Sequence, residues 1–463
     1  MSDIEVVSGR QLLRKLDVRI VPYLVLLYTL CFLDRVSIGH ARLYGLEQSL
    51  GLSQSQYSWT LSVFFIGYIL FEVPSNLMMK KVSPPVWIAR IMVTWGLVTM
   101  CMAATRDFNG LMATRFFLGV AEAGLFPGII FLMSFWYTRQ EQGIRIAFLS
   151  ASSQLAGSFG GIISYGISYI DGNLGLRGWQ WIFIVEGIPT VVFGTLAWWI
   201  VPTTPRQASW LSTDEREFLV QKLEASHVDL EVNRISIRQI RACFADPKTY
   251  LYAFLYLGLQ CPMYSLSLLM PTIISDMGVS NVSAMLMTTP PCALAFVVTI
   301  ANAWHSDRTL DRGFHIVATC TLAILGFVIM ILATPLALRY GAIMITMVGS
   351  AASFPPTLSW SNNNQIGSTK AAVSSAFIIA FGNIGGFLSG QMYRAEEGPR
   401  YTTSHLINIA ALAMSITCAL TLRAIMKAEN TRLDKNEAAV SEPDLPTSPA
   451  HGTNPTPKFS LPG

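Results

Sequence analysis

The sequence predicts an all-α membrane protein with twelve transmembrane helices in two six-helix bundles. Three observations predict it. The 463-residue chain is 52% hydrophobic and only 13% charged, with a mean hydropathy of +0.45, the composition of a chain whose main solvent is lipid. Apolar runs long enough to cross about 30 Å of hydrocarbon fall at 19–39, 57–79, 87–105, 110–133, 145–169, 179–201, 249–274, 283–304, 314–334, 339–360, 371–392 and 404–425. These runs divide six and six around a polar stretch. The expected organisation is therefore a cytoplasmic segment 1–18, a bundle 19–202, a cytoplasmic central loop 203–248, a second bundle 249–426 and a disordered cytoplasmic tail 427–463.

Taken in order, the first residues are polar and lack the short apolar core and small-residue cleavage site of a signal peptide, so the first apolar segment is expected to stay in the protein. Pro202 and Pro205 stop the sixth run. The central stretch LSTDEREFLVQKLEA opens with an N-cap-like Ser212 or Thr213 before acidic residues, which predicts one short surface helix flanked by flexible chain. The tail after Lys427 is rich in Pro, Ser and Thr with no apolar period, and is expected to be disordered. Most of the 32 Lys and Arg fall on one side of this layout, which predicts cytoplasmic termini and a cytoplasmic central loop. The basic residues form no continuous stripe for phosphates, so nucleic acid is excluded as a partner. The seven Cys form no CxxC pair and read as buried packing residues. No nucleophile–base pair, metal cluster or phosphate loop points to an enzyme or a cofactor.

The centre of the layout is ATRFFLGVAEAGLFPG, residues 113–128. Arg115 and Glu122 lie seven residues apart, on one helical face. A charge at the middle of a span costs roughly 2.5–3.5 kcal/mol, so such groups face a bundle interior or a wet cavity. Arg115 has a second option, snorkelling to the interface; Glu122 is shorter and deeper. Burial disfavours the charged form of Glu122 and a nearby cation favours it, which makes it the first candidate proton carrier; the alternative is a permanently protonated side chain bonded to a neighbouring helix. Asp34 and Arg35 lie in the apolar run of the first helix. Asp34 and Arg115 are expected at matching depth, either sharing one polar cluster or, for Asp34 and Arg35, pairing with each other at the interface. Glu72 and Glu186 each precede a proline by two or three residues, so each is a lesser proton candidate or satisfies backbone groups released by a kink.

The halves resemble each other faintly. FPGIIFLMSFW with QEQG in the fourth run and FPPTLSW with NQIG in the tenth are followed by helices that begin Ala-Phe and reach a Gly-Gly pair, a pattern that places a binding site near the midplane between repeats. Trp360, the Asn362–Asn364 run and Asn383 are candidate ligand contacts, with Asn362–Asn364 equally readable as a cap and turn. Gly382, Gly386 and Gly390, like Gly157 and Gly161, have the spacing of close helix contact. In WHSDRTLDRG, Asp307, Arg308 and Arg312 can form charge pairs and cap helix ends, holding one side closed until the halves rock apart.

These segments resemble the major facilitator superfamily, which carries an Asp-Arg pair after helix eight and an Arg motif in helix four, here Asp307-Arg308 and Arg115. LDRVSIGHARLYGLE, FFIGYILFEVPSNLMMKK, ATRFFLGVAEAGLFPG, RGWQWIFIVEGIPT and WSNNNQIGSTKAAV with FGNIGG are similar to the fungal allantoate and nicotinate permease branch, the anion:cation symporter family. The resemblance implies alternating access and uptake of a small organic anion, vitamin-like or nitrogen-rich, together with protons. Ser37, His40 and Ala371 depart from the family pattern, and His40, next to Arg42, is expected to be solvated. The function expected is thus proton-coupled uptake at the plasma membrane by a monomer whose partners are a small-molecule substrate, protons and the lipid bilayer. Arg115, Arg35, Asn383 and Trp360 are the candidate substrate contacts, Glu122 and Asp34 the proton-coupling residues, and Asp307, Arg308 and Arg312 the gate. Two other functions fit the same sequence: a proton-exchange exporter of a metabolite or toxin, and a nutrient receptor that binds without transport.

Overall fold

The structure, a computed structural model, describes residues 3–201, 204–226, 237–309, 311–364 and 368–440. Twelve helices in these residues are long and apolar enough to cross a membrane: α1 (Gly9–Leu43), α2 (Gln54–Met79), α3 (Pro84–Met102), α4 (Phe108–Ser134), α5 (Glu141–Ile167), α6 (Gly178–Ile200), α7 (Pro247–Ser275), α8 (Asn281–Thr309), α9 (Arg312–Leu332), α10 (Leu336–Asn363), α11 (Val373–Met392) and α12 (Thr402–Lys435). Local chemistry sets their starts. Ser53 and Gln56 form a reciprocal capping box before α2, Pro84 and Pro85 open α3 where no N–H partner is lost, and Asp107 accepts from the Gly110 N–H at the head of α4.

Three spans are broken. In α4 the helix Phe108–Glu122 stops at Ala123 and Gly124, whose φ of +91° suits only glycine, and resumes as Leu125–Ser134. In α8 the break lies at Thr288, and in α10 it lies at Ser353, just before Phe354-Pro355-Pro356. The α4 and α10 breaks coincide with the two FP motifs through which the sequence halves resemble each other. Unwound backbone at membrane depth is tolerated where protein surrounds it.

Within each bundle, small residues let backbones touch. A Cβ at Gly119 of α4 would stand 2.0 Å from the Phe64 carbonyl oxygen of α2. Between bundles the same device closes the end opposite the chain termini. Gly39 of α1 meets the Leu268 carbonyl of α7, Gly386 of α11 meets the Phe65 ring, and Gly157 and Gly161 of α5 meet Cys292 and Met285 of α8. Hydrogen bonds run along these seams: Ser62 to the Phe387 carbonyl (2.9 Å), Gln391 to Ser62 (2.9 Å) and Thr289 to the Ser158 carbonyl (3.0 Å). This end is shut.

Three sequence expectations are corrected here. The central loop holds two helices. Thr213–Ser226 begins at a capping box between Ser212 and Glu215; Ile237–Ala245 is the second, and residues 227–236 lie outside the described residues. Lys15 bonds Glu215 (2.7 Å) and Lys222 bonds Glu141 (2.5 Å), which ties the first of these helices to α1 and α5; the Lys15 ammonium holds the Glu215 carboxyl below its usual range. The second lies against α11, where Lys370 reaches Gln239 through its N–H and Asp246 through its ammonium (2.6 Å). Its sequence, IRQIRACFA, is too short for its apolar residues to stand out as a span. The tail expected to be disordered from 427 is helical as far as Val440, because TRLDKNEAAV contains Arg, Leu, Lys, Glu and two Ala, all strong helix formers, and Lys248 anchors Glu429 (2.8 Å). Residues 441–463, like Pro202, lie outside the described residues. Finally, His40 is not solvated: it is 2% exposed and packs against Gly160.

The seam geometry makes a stability prediction. Gly119→Val should cost about 1–3 kcal/mol through overpacking and lower the thermal unfolding midpoint in detergent. Gly166→Ala, which meets open space, should leave it unchanged, and equal midpoints for the two variants would contradict the α2–α4 contact.

Candidate functional site

Glu122 is the last residue of the first α4 segment, so its side chain leaves the helix where the backbone turns away. Arg35 of α1 meets it there. Arg35 Nη2 and Nε donate to Glu122 Oε2 at 2.7 and 3.0 Å, and Nη1 donates to the Tyr264 hydroxyl of α7 at 2.8 Å. The two charged residues are 4% and 0% exposed. Cys31, one turn before Arg35, points its thiol at the same carboxylate oxygen (3.4 Å), and Glu122 Oε1 has no partner among the described residues. Around the guanidinium stand Phe32, Phe64 and Tyr68, with ring centres 4.9–5.0 Å from its carbon; a desolvated cation–π contact is worth about 2 kcal/mol or more. The pair thus lies within the N-terminal bundle, and Tyr264 joins it from the C-terminal one.

Arg115 is fully buried two turns before Glu122. It donates from Nε to the Thr60 carbonyl (3.2 Å) and lies 5.1 Å from the Phe64 ring centre, while Nη1 and Nη2 have no partner among the described residues. It does not snorkel. The two arginines therefore share the Phe64 ring, and only one of them has a carboxylate. Chemically, the two Nη atoms of Arg115 without a partner among the described residues suit an anion with two acceptor oxygens.

The expected Asp34–Arg115 cluster is not formed, nor does Asp34 pair with Arg35. Consecutive residues on a helix point about 100° apart, and Asp34 turns into the N-terminal bundle, where Trp95 and Thr190 donate to its Oδ2 at 2.9 and 2.8 Å. Glu186, one turn before Thr190, is buried with both oxygens unpartnered, and so is Glu72; neither satisfies backbone released by its proline. Ser37 bonds only the Asp34 carbonyl.

Asn383 is buried (3% exposed) one turn before Gly386, the residue that rests on Phe65, whose ring in turn packs edge-on against Tyr264 at 4.7 Å. Trp360 is elsewhere. It packs edge-on against Tyr252 (5.6 Å), and Tyr252 is twelve residues, about 18 Å of helix, before Tyr264. Asn364 caps α10 by donating to the Trp360 carbonyl (3.0 Å), the cap alternative of the sequence. At the end bearing the termini, Asp307 pairs with Arg312 (3.1 Å), which also donates to the Ser359 carbonyl, joining α8, α9 and α10. Asp307 also faces α5: a Cβ at Gly143 would stand 3.7 Å from its Oδ2. Arg308 stands apart, over Trp304 (3.8 Å). The side chain of Ala371 lies outside the description.

Sequence reasoning missed Tyr264 and the aromatic shell. Tyr264 is an ordinary apolar-run residue in sequence; the spacing of Phe64 and Tyr68, one helical turn apart, was the available signal for the shell.

Residues 24–390 match the sequence pattern of the Major Facilitator Superfamily. The chain is 34% identical over 426 residues to "MFS transporter prlL" of Fungal sp. (strain NRRL 50135), covering 90% of this chain and 86% of that protein. It is 37% identical over 383 residues to a "Putative tartrate transporter" of Agrobacterium vitis, covering 82% and 87%. Among solved structures, a bacterial homologue of the human lysosomal transporter Spinster, in an inward-facing and unoccupied conformation, superposes with a TM-score of 0.64 at 17% identity, covering 87% of this chain and 95% of that one.

The buried pair yields a test of its own energetics. Arg35→Gln alone should cost about 3–5 kcal/mol of stability because it strands Glu122, and adding Glu122→Gln should recover most of that loss. A double variant as unstable as the sum of the singles, by thermal unfolding in detergent, would mean the two side chains are not coupled.

Proposed function

The chain belongs to the major facilitator superfamily and is an integral membrane transporter rather than an enzyme; from that premise we propose that it is a proton-coupled importer of a small organic anion, of the anion:cation symporter branch, working at the plasma membrane with both termini cytoplasmic. The observation that carries this reading is the Arg35–Glu122 pair, whose guanidinium also reaches Tyr264 across the bundle interface. A guanidinium buried in hydrocarbon holds one carboxylate at a time. While Glu122 is ionised it occupies Arg35 itself. Protonation of Glu122 frees Arg35, and the carboxylate of an incoming solute takes its place, with the unpartnered Nη atoms of Arg115 as the second attraction. Proton and anion then travel together because neither arrangement leaves Arg35 bare. Solute binding also alters the Arg35–Tyr264 contact, the link through which the site bears on the rocking of the halves.

Asn383, buried one turn before Gly386, is assigned to the solute-binding wall, and the Asp307–Arg312 pair against α5 serves as the gate at the cytoplasmic end. Trp360 is too far along α10 to touch the solute and acts as packing. The name of the Agrobacterium vitis relative supports a carboxylate solute, and the branch resemblance adds vitamin-like and nitrogen-rich acids.

In proteoliposomes, uphill uptake of a carboxylate such as tartrate or nicotinate should rise as the outside is made more acidic. Glu122→Gln should keep solute exchange and lose the response to the pH gradient, while Arg35→Lys should weaken solute binding by about 10- to 100-fold, the scale of a lost charge-assisted bond of about 1.5–3 kcal/mol. Uptake indifferent to the gradient in the unaltered protein would overturn the coupling.

A further inference from the structure

The N-terminal bundle carries a second feature, separate from the Arg35–Glu122 pair. On its lipid side, α2, α3, α4 and α6 enclose a groove of about 750 Å³, within the range of about 300–1,000 Å³ typical of small-molecule sites. Its walls are apolar and aromatic, with Phe71, Met78, Trp87, Trp198 and Trp199 prominent, and Arg90 is the only ionisable residue that lines it. Arg90 is exposed, and its guanidinium has no hydrogen bond or ion pair among the described residues, its backbone carbonyl alone accepting from Thr94 (2.8 Å). It lies six residues into α3, about 9 Å from the helix start, in the leaflet at the end bearing the termini. A bare guanidinium at that depth is costly, and its long stem can lift the charge to the headgroup level while leaving the groove below it apolar. Trp87, fixed by its bond to Ser75 (3.0 Å), and Trp198 and Trp199 lie near the same end of their helices, the place of an aromatic belt.

The geometry points to a binding site for one anionic glycerophospholipid, with its phosphate on Arg90 and an acyl chain in the groove. Charge complementarity selects the occupant: a single uncompensated cation at the mouth of an apolar slot fits a net-negative headgroup better than a zwitterionic one, whose own ammonium competes for the phosphate. On the orientation proposed above this is the cytoplasmic leaflet, the anionic one. The acyl chain would rest on Val120 and Ala121, which immediately precede Glu122 and the α4 break. Lipid occupancy therefore bears on the segment that carries the buried carboxylate.

The test is lipid retention by the full-length protein in native mass spectrometry, with dioleoylphosphatidylglycerol and dioleoylphosphatidylcholine as probes. It reads binding, so it is independent of whether the solute and coupling proposed above are right. The unaltered protein should retain one phosphatidylglycerol about five- to tenfold more strongly than phosphatidylcholine; Arg90→Gln should lose that preference and Arg90→Lys should keep it. Thr195→Trp, which fills the groove without touching the charge, should lower retention of both lipids. Equal retention of the two lipids by the unaltered protein, or an unchanged preference in Arg90→Gln, would overturn the site. Should Arg90→Gln prove poorly folded, the contrast between Arg90→Lys and Thr195→Trp decides, and identical retention by those two would overturn it as well.

Discussion

A guanidinium cannot be left alone in hydrocarbon, and the centre of this molecule is arranged around that constraint. Arg35 stays charged at any accessible pH, so burying it demands a compensating acceptor, aromatic faces and a hydroxyl, and these are what surround it. Glu122 supplies the acceptor from the point where α4 unwinds, at the end of a helical segment rather than in the middle of one. A buried ion pair of this kind adds little net stability compared with an apolar pair of the same size, so its presence in a marginal environment is better explained by what it does than by what it holds together.

The helices around the pair are held by a different kind of contact. Glycines at the seams bring backbones together to distances that no side chain would allow, as at Gly119 against Phe64 and Gly39 against Leu268. In lipid the hydrophobic effect gives helices little reason to associate, and close packing with a few interhelical hydrogen bonds supplies the adhesion. The seams within bundles and the seams between them use the same small residues. The inter-bundle contacts also include exchangeable polar bonds such as Gln391 to Ser62. The cycle proposed above requires such bonds to be given up and remade. At the other end, the Asp307–Arg312 pair presents a carboxylate toward the start of α5.

The central segment fastens to the spans by charge. Lys15, Glu141, Asp246 and Lys370 each bind across chain separations of more than 80 residues, and these bonds bridge the bundle ends to the two short helices between the halves. The first of these helices is fastened by ion pairs, and the second, Ile237–Ala245, also by packing of Phe244 against Phe377 of α11 (5.4 Å).

The sequence by itself determined the solvent, the twelve spans, their six-and-six division and the placement of charges at lipid depth, because hydropathy and the cost of burying charge are properties of single residues and their neighbours along a helix. It also marked the two FP motifs that prove to be helix breaks. It did not determine who pairs with whom. Asp34 and Arg35 are adjacent in the chain, and the sequence offered Asp34 either Arg115 or Arg35 as partner, yet Asp34 turns to Trp95 and Thr190 and Arg35 to Glu122 and Tyr264. That choice depends on the rotation of α1 against four other helices and on where α4 breaks. Both are set by contacts among residues tens to hundreds of positions apart, and only the tertiary structure holds them.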